Sequence, residues 1–467
     1  MRLKFDQHIH IVGIGGSGMS AIARVLLQKG YHISGSDRQE NDFTRALAQM
    51  GATIHIGHDA AHVNGADLVL ITSAVPPSHV EVAAAQVASI PVYKRSDLMA
   101  EIMAGQACIA VAGVHGKTTT TSMIAHILIQ AGRDPSYIIG GVLRTTGVNA
   151  AFGHGAAFVI EADEYDHMFL GLRPQTAIIA NVEWDHPDFF PTPDAMTQAF
   201  ERFAALIPQA GELIVCADDD GARTIGAERA SAGIPVVDYG IDHPQANWRA
   251  VEIDIQPDMT HFTVMQGNAL LGEVSLRVPG RHNVLNALAA LAAARTQGVP
   301  FTEAASALAT FEGAGRRFDV RGEYAGIVVI DDYAHHPTAI KATLAAARAR
   351  YPGHEIWAIW QPHTFSRTQA LLEEYARAFA EADHVLVTEI YAAREQPLDG
   401  VSGAVAANAI KHVDARHVPT FETAVDLLER EAQSPAVVII MSAGDAPQIG
   451  IEFLRRVRAT SGGNHNE

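Results

Sequence analysis

The stretch VAGVHGKTTTT, residues Val111–Thr121, decides the fold of the region around it. The preceding apolar residues Cys108–Val111 predict a buried parallel strand, and Thr119–Ile129 carries apolar residues on one face of a helix. The order is therefore strand, glycine turn and helix. In this arrangement the N–H groups of the turn and the positive end of the helix dipole form a binding site for an anion.

The side chains of this turn indicate a nucleoside triphosphate. Lys117 supplies a positive charge for the β- and γ-phosphates, and the Thr118 hydroxyl is a ligand for Mg²⁺. The stretch lacks the first glycine of the complete Walker A pattern. A plain turn with a surface lysine would nevertheless leave the cluster of glycine, lysine and threonine unexplained. The predicted nucleotide contacts are Gly113, Val114, His115, Gly116, Lys117, Thr118 and Thr119.

Length and composition limit the possible classes of protein. At about 150 residues per domain, 467 residues predict about three domains. The net charge of −18 argues against sequence-independent binding to nucleic acid or to an anionic membrane. Both cysteines lie in apolar runs, as small buried residues do. There is no apolar run long enough for a membrane span and no signal peptide pattern, which favours a cytoplasmic enzyme.

A second glycine loop lies near the start of the chain. Strand His8–Val12 runs into GIGGSG, Gly13–Gly18, and Asp37 follows a helix and a second strand. This βαβ pattern predicts a diphosphate on the turn, with Asp37 near a ribose or near the loop itself. Because the glycines also satisfy the dinucleotide fingerprint, a nicotinamide cofactor stays open at this point. A later strand ends at Thr72 and Ser73, where a ligand edge and a plain loop are both possible.

Acidic residues follow two strands in the middle third. Strand Phe158–Ile160 delivers Glu161–Glu164, and strand Thr176–Asn181 delivers Val182–Asp188, which contains His186. Carboxylates at strand ends beside a phosphate loop are candidate Mg²⁺ ligands. The segment from Trp248 to Leu276 alternates apolar and polar residues and predicts antiparallel strands at the sheet edge.

An alanine-rich helix opens with two amide side chains. Asn283 and Asn286 are three residues apart and share a helix face, where their donors and acceptors suit the edge of an adenine. Capping of the helix by Asn283 is the open alternative. Beyond Gly315, the paired Arg316 and Arg317 suit phosphate. The last third again alternates helices with strands that end in polar residues, and so predicts another open α/β domain.

These motifs, in this order and over essentially the whole chain, resemble the Mur ligase family of peptidoglycan synthesis. They comprise Gly113–Thr119, Glu161–Glu164, Asn181–His186, Gly280–Asn286, Gly315–Phe318 and Asp331–Pro337. Within the family, Gly13–Met19, Ser34–Asp37 and Gln361–His363 are most similar to the members that add L-alanine to UDP-N-acetylmuramate. Val114 replaces the usual threonine, and Thr364 stands where many alanine-adding members have arginine.

The resemblance implies an ATP-dependent amide ligase that activates the muramate carboxylate as an acyl phosphate before alanine attacks. The implied catalytic residues are Lys117, Glu161, His186, Arg316, His335 and His363. Two Mg²⁺ sites are implied at Thr118, Glu161 and His186. ATP would also contact His282, Asn283, Asn286, Arg316 and Asp331. The implied substrate contacts are Gly15, Gly16, Ser17, Gly18, Met19, Asp37, Ser73, His363 and Arg367.

The expected architecture is an α/β fold of three domains. A Rossmann-like domain for the UDP-sugar spans residues 1–105, a P-loop ATPase-like domain with a mostly parallel sheet spans 106–318, and a Rossmann-like domain for the amino acid spans 319–467. A hinge is expected near 318–322, and a carbamylated lysine is not expected. The molecule is expected to be a monomer or a weak homodimer that binds neither nucleic acid nor membrane.

Three alternatives remain open. An oxidoreductase would use the first glycine loop for NAD, but Lys117 and Thr118 have no role in such an enzyme. A non-catalytic nucleotide-dependent regulator would be expected to lack the carboxylate and the His186 cluster. A related ligase would join the same sugar nucleotide to the tripeptide L-Ala-γ-D-Glu-meso-diaminopimelate, and differs mainly in its acceptor pocket.

Overall fold

The described part of the chain forms three β-sheets, arranged one after another along the sequence. The computed structural model describes residues 3–4 and 6–462, with side chains through 459. Within these residues the sheets have five, ten and six strands. The three-domain α/β architecture predicted from the sequence is confirmed. In the described part of the chain, no helix is long and apolar enough to cross a membrane.

The first sheet is entirely parallel. Its strands are His8–Val12 (β1), His32–Asp37 (β2), Thr53–Ile56 (β3), Leu68–Ile71 (β4) and Val92–Lys94 (β5). The helices around it are Ser17–Gln28 (α1), Asp42–Gln49 (α2), Val80–Val87 (α3) and Arg95–Ile102 (α4), with a 3₁₀ segment at Ala60–Val63. The strand order β3-β2-β1-β4-β5 reverses direction between β1 and β4. Ligands bind at such a switch point, and the glycine loop after β1 lies there.

The central sheet is parallel around the phosphate loop and antiparallel at both edges. Its strands are Ala107–Ala112 (β6), Ser136–Leu143 (β7), Val148–Ala151 (β8), Ala157–Glu161 (β9), Pro174–Ile179 (β10), Glu212–Cys216 (β11), Val236–Gly240 (β12), Trp248–Ile255 (β13), Thr260–Gln266 (β14) and Ala269–Leu276 (β15). The helices are Lys117–Gln130 (α5), Pro193–Ala204 (α6), Asp220–Ser231 (α7), Arg281–Thr296 (α8) and Phe301–Leu308 (α9), with a 3₁₀ segment at Tyr165–Gly171. The strand order is β15-β14-β13-β12-β11-β10-β6-β9-β7-β8, so β6 lies between β9 and β10.

The third sheet carries one antiparallel edge strand. Its strands are Asp319–Tyr324 (β16), Ile327–Asp332 (β17), Glu355–Trp360 (β18), His384–Val387 (β19), Ala415–His417 (β20) and Ala436–Met441 (β21), in the order β16-β17-β21-β18-β19-β20. The helices are Pro337–Arg350 (α10), Phe365–Ala370 (α11), Leu372–Tyr375 (α12), Gly403–Ala409 (α13), Phe421–Glu431 (α14) and Pro447–Gly462 (α15). The carboxyl ends of β17 and β18 face the central domain and carry the polar residues discussed below.

Apolar packing continues across the boundary between the first two sheets. One buried cluster contains Ile9 and Ile11 of β1 together with Phe158 of β9 and Phe200 of α6. Trp184 of the central region packs partly against the cores of both the first cluster and the third sheet. The three parts of the molecule are therefore joined by apolar contacts across both boundaries.

Candidate active site

The phosphate loop joins the end of β6 to the start of α5. Gly113 has φ = 142° and Gly116 has φ = 80°, which are conformations that favour glycine. A Cβ on Gly116 would lie 2.5 Å from Asn286 Oδ1, so the loop passes closely over α8. The N–H of His115 donates to Asn181 Oδ1 at 2.9 Å, which ties the loop to the end of β10. The predicted strand, glycine turn and helix are therefore present.

Lys117 is the first residue of α5, directly after the loop, and its side chain pairs with the buried carboxylate of Glu164. Its Nζ donates to both oxygens of Glu164, at 3.0 and 2.8 Å, and to Gly113 O at 2.6 Å. Burial lowers the pKa of Lys117, but the Glu164 and Asp163 carboxylates outweigh this effect and leave the pKa raised. The lysine is therefore a fixed positive charge at the mouth of the loop.

Thr118 and Glu161 lie together on the other side of the loop. Glu161 ends β9 and accepts a hydrogen bond from Gly140 N at 2.5 Å, while Thr118 Oγ1 accepts one from Arg317 Nη2 at 2.9 Å. Burial raises the pKa of Glu161, and the Gly140 N–H and the Arg317 guanidinium offset this only in part. A bound divalent cation would remove this penalty, and a hydroxyl with a carboxylate is an oxygen donor set that suits Mg²⁺.

His186 adopts a left-handed conformation, with φ = 54°, that turns its ring toward Glu164. Its Nε2 lies 3.6 Å from Glu164 Oε1 and 3.7 Å from Asp185 Oδ2. Burial lowers the pKa of His186, but the Asp185 carboxylate and the Glu164 hydrogen bond leave it raised. Glu164 is therefore the carboxylate that links Lys117 to His186.

Arg367 connects the third domain to this site. Its Nε donates to Asp185 Oδ1 at 2.5 Å, its Nη1 to His363 Nδ1 at 2.9 Å and its Nη2 to His186 Nδ1 at 3.3 Å. The His363 ring centre is 5.9 Å from that of His335. Burial, together with the Arg367 charge, lowers the pKa of His363 to about 3 and that of His335 well below its ordinary value. Both imidazoles are therefore neutral at physiological pH.

Arg316 and Asp331 meet at the junction of the second and third domains. Arg316 Nε lies 3.4 Å from Asp331 Oδ2, and its Nη2 donates to Ser442 O at 2.7 Å. Burial raises the pKa of Asp331 to about 6, against the lowering effect of Arg316. Arg316 Nε and Asp331 Oδ1 are buried without a hydrogen-bond partner among the described residues. Such a donor and acceptor fit the phosphate and ribose contacts implied for them.

The two asparagines of α8 support the phosphate loop from below. Asn283 does not cap the helix, because the N-cap residue is Gly280. Asn286 Nδ2 donates to Asn283 Oδ1 at 3.0 Å, and its own Oδ1 accepts from Thr120 Oγ1 at 3.1 Å. Burial lowers the pKa of the neighbouring His282 to about 4. Contact of these three side chains with adenine stays a prediction.

The first glycine loop is held by Asp37. The Gly15 N–H donates to Asp37 Oδ2 at 2.8 Å, so of the two possibilities raised by the sequence this carboxylate contacts the loop itself. Gly16 is the N-cap residue of α1, and a Cβ on Gly18 would lie 3.3 Å from Arg95 Nη1. Of the other predicted substrate contacts, Ser17 and Ser73 are exposed to solvent, whereas Met19 is buried in the core.

Arg95 is the charged residue at these loops that no motif in the sequence indicated. Glu164 and Asp185 were indicated only as members of the acidic segments Glu161–Glu164 and Val182–Asp188, without individual roles. Arg317 was expected to suit phosphate together with Arg316, and in the structure it donates to Thr118. Arg95 Nη2 donates to Asp163 Oδ2 at 2.5 Å across two domains, a pairing that the sequence does not reveal.

Three family models of Mur ligase domains match the chain, one after another along the sequence. The Mur ligase family catalytic domain matches residues 8–107, the Mur ligase middle domain 111–294 and the Mur ligase glutamate ligase domain 316–444. The UDP-N-acetylmuramate–L-alanine ligase of Roseiflexus castenholzii is 45% identical over 95% of this chain and 96% of its own. That of Rubrobacter xylanophilus is 44% identical over 96% of this chain and 100% of its own. The chain belongs to the Mur ligase family.

Solved structures show the same architecture. UDP-N-acetylmuramate–alanine ligase from Thermotoga maritima is 28% identical with a TM-score of 0.80, covering 97% of this chain and 100% of its own. A murein peptide ligase from Psychrobacter arcticus is 29% identical with a TM-score of 0.75, covering 97% and 98%. The chain is thus similar in fold both to an alanine ligase and to a murein peptide ligase.

Proposed function

We propose that the protein is an ATP-dependent ligase that joins L-alanine to the carboxylate of UDP-N-acetylmuramate in peptidoglycan precursor synthesis. The observation that carries the proposal is the bridge from Arg367 to Asp185 and His186, which joins the phosphate loop to the histidines of the third domain. Eight relatives at 40–45% identity bear the name UDP-N-acetylmuramate–L-alanine ligase.

ATP and Mg²⁺, when bound, would supply the phosphoryl group and the charge neutralisation that turn the carboxylate into an acyl phosphate. The loop amides and Lys117 would hold the β- and γ-phosphates. Thr118 and Glu161 would hold the Mg²⁺ ion beside ATP, and Glu161 with His186 would serve a second ion near the acceptor carboxylate. Two cations suit this reaction because a carboxylate must approach a phosphate, and both are anions.

The third domain would prepare the amine for attack. Arg367 keeps its full charge, because the pKa of its guanidinium is raised by Asp185 despite burial. It would attract the negative oxygens of the acyl phosphate while it orients His363 through Nδ1. His335 and His363 are neutral, and because burial and the Arg367 charge lower their pKa values they are weak bases. They would therefore orient the alanine amine by hydrogen bonding rather than take its proton.

Domain movement belongs to the proposal. We place the boundaries at 1–105, 106–318 and 319–467, with the hinge near 318–322. Arg316 and Phe318 both have positive φ values, 59° and 47°, at this junction. Such residues can absorb a change in backbone angle as the domains open and close. A cytoplasmic monomer or weak homodimer with small-molecule substrates completes the proposal.

The deciding experiment measures phosphate release from ATP in the presence of UDP-N-acetylmuramate, with either L-alanine or L-Ala-γ-D-Glu-meso-diaminopimelate as acceptor. Turnover with alanine alone supports the proposal, and turnover with tripeptide alone moves the protein to the recycling reaction. No release with either acceptor would reject the sugar nucleotide as substrate. Lys117→Ala should abolish release, and Lys341→Ala, on an exposed position of α10, is the matched control.

A further inference from the structure

The first domain contains a buried carboxylate surrounded by imidazoles. Glu81, in the first turn of α3, is fully buried. The Nδ1 atoms of His58 and His79 lie 3.4 and 4.0 Å from Glu81 Oε2, and the side chains of both histidines are about one-fifth exposed, at 22% and 15%. In this cluster the Glu81 carboxylate is therefore buried, and the His58 and His79 imidazoles lie between it and the solvent.

The ligand atoms of these three residues are close enough to share one ion, since all lie within 4.8 Å of one another. A tetrahedral Zn²⁺ with bonds of about 2.1 Å places its ligand atoms about 3.4 Å apart. The distance from His58 to Glu81 already matches this value, and that from His79 to Glu81 must shorten by only about 0.6 Å.

We propose that His58, His79 and Glu81 form a binding site for a divalent transition-metal ion of the zinc class. Two imidazoles with one carboxylate suit Zn²⁺ or Co²⁺, whereas Mg²⁺ prefers oxygen ligands throughout. Three protein ligands at a solvent-facing position leave a fourth site open for water or for a ligand atom. The proposal does not depend on the ligase reaction.

The surrounding residues hold the carboxylate in place. Ser36 Oγ donates to Glu81 Oε2 at 2.6 Å, and His62 Nδ1 lies 2.9 Å from Oε1. His10 Nε2 is buried, makes no hydrogen bond among the described residues and faces Glu81 Oε2 at 3.7 Å, so a further imidazole lies against the carboxylate. Outer contacts of this kind orient metal ligands and tune their affinity.

The proton positions of the two histidines follow from their contacts. His79 Nδ1 accepts a hydrogen bond from Glu81 N at 3.3 Å, so this nitrogen is unprotonated but its lone pair must leave that N–H to bind an ion. Because the Ser36 hydroxyl donates to Glu81, it accepts from His58 Nδ1 at 3.1 Å. When an ion binds, the proton on His58 Nδ1 must therefore move to Nε2 so that Nδ1 can bind the ion. The bond from the ion to His79 Nδ1 replaces the long hydrogen bond from Glu81 N.

The test is titration of the full chain, stripped of metal by a chelator and without ATP, with ZnCl₂ by calorimetry and with CoCl₂ by visible absorption. The double variant His58→Gln/His79→Gln should lose one equivalent of Zn²⁺ and the tetrahedral Co²⁺ signal. Ser36→Ala should weaken binding by about 10- to 100-fold. His261→Gln, an exposed residue on β14, is the control that should change nothing. Melting curves in chelator confirm that each variant folds.

A second donor group, His115, Glu183 and His336, lies beside the phosphate loop and must be distinguished. His336→Gln should leave the equivalent assigned to the first domain intact. Absence of Zn²⁺ binding in the wild-type protein would overturn the proposal, and so would binding that survives in the double variant and disappears in His336→Gln. In either case the first-domain cluster is only a hydrogen-bonded support for α3.

Discussion

Replacing Asp185 with asparagine should lower kcat/KM strongly, because the substitution disfavours closure of the domains. Asp185 and Arg367 form a pair across two domains in which the side chains are only 4% and 3% exposed. Removing one charge of a buried pair typically costs about 3–5 kcal/mol, because the other charge stays desolvated. Arg367 can regain water only when the domains separate, so the cost falls on closure. It corresponds to a fall in kcat/KM of roughly two to four orders of magnitude.

The assay is steady-state ADP release with L-alanine and UDP-N-acetylmuramate. Asp188→Asn is the matched control, since Asp188 also pairs across the same interface, with Arg394, at 2.6 Å. That arginine is 43% exposed, and exposed pairs contribute about 0–1 kcal/mol. The control should therefore lose no more than about fivefold.

Two results would refute this reasoning. Asp185→Asn with kcat/KM within fivefold of the wild-type value would mean that the pair is not needed for closure. Equal losses in Asp185→Asn and Asp188→Asn would mean that burial does not decide the cost. The melting temperature of each variant separates closure from unfolding, because a closure defect lowers kcat/KM far more than it lowers stability.

Further predictions test the loop, the junction and the metal. Gly116→Ala should cost at least 100-fold in kcat/KM, since its Cβ would lie 2.5 Å from Asn286 Oδ1, whereas Gly132→Ala, with φ = 65° and open space, should keep its activity. Asp331→Asn should raise the free energy of unfolding by about 1–3 kcal/mol at pH 7. The pKa of Asp331 in the folded state, about 6, lies above the ordinary value of 3.8, so ionisation of Asp331 destabilises the folded wild-type protein as the pH rises from about 4 to about 6. The stability advantage of Asp331→Asn, measured by denaturant titration, should therefore vanish below about pH 4. Glu161→Gln should raise the Mg²⁺ concentration needed for half-maximal ADP release at least tenfold, and unchanged Mg²⁺ dependence would contradict its role.

The sequence predicted the parts of the fold that depend on local patterns. The strand Ala436–Met441 and the helix Pro337–Arg350 have the expected bounds, because each has an apolar run or a proline that marks its limits. Helix α5 begins at Lys117, two residues before the periodic apolar face at Thr119, since the first turn of a helix that receives phosphate carries polar residues.

The candidate site was predictable only where its residues occur in recognisable motifs. Lys117 and His186 were predicted in this way, and in the structure both lie beside Glu164. The bond from Arg367 to Asp185 spans 182 positions, and no local pattern encodes such a pairing. The left-handed conformation of His186 is also invisible in the sequence, because it is imposed on a residue other than glycine by tertiary contacts.

The position of α1 has a consequence for the solubility of the central domain. β8 is an edge strand of the ten-stranded sheet, and α1 lies against it: Asn149 Nδ2 donates to Ser17 O at 3.0 Å, and Phe152 N to Gln28 Oε1 at 2.7 Å. Exposed strand edges invite pairing with other chains. The first domain thus also covers an edge of the central sheet against aggregation. A fragment that starts at residue 106 should self-associate, whereas the chain that includes the first domain should stay dispersed.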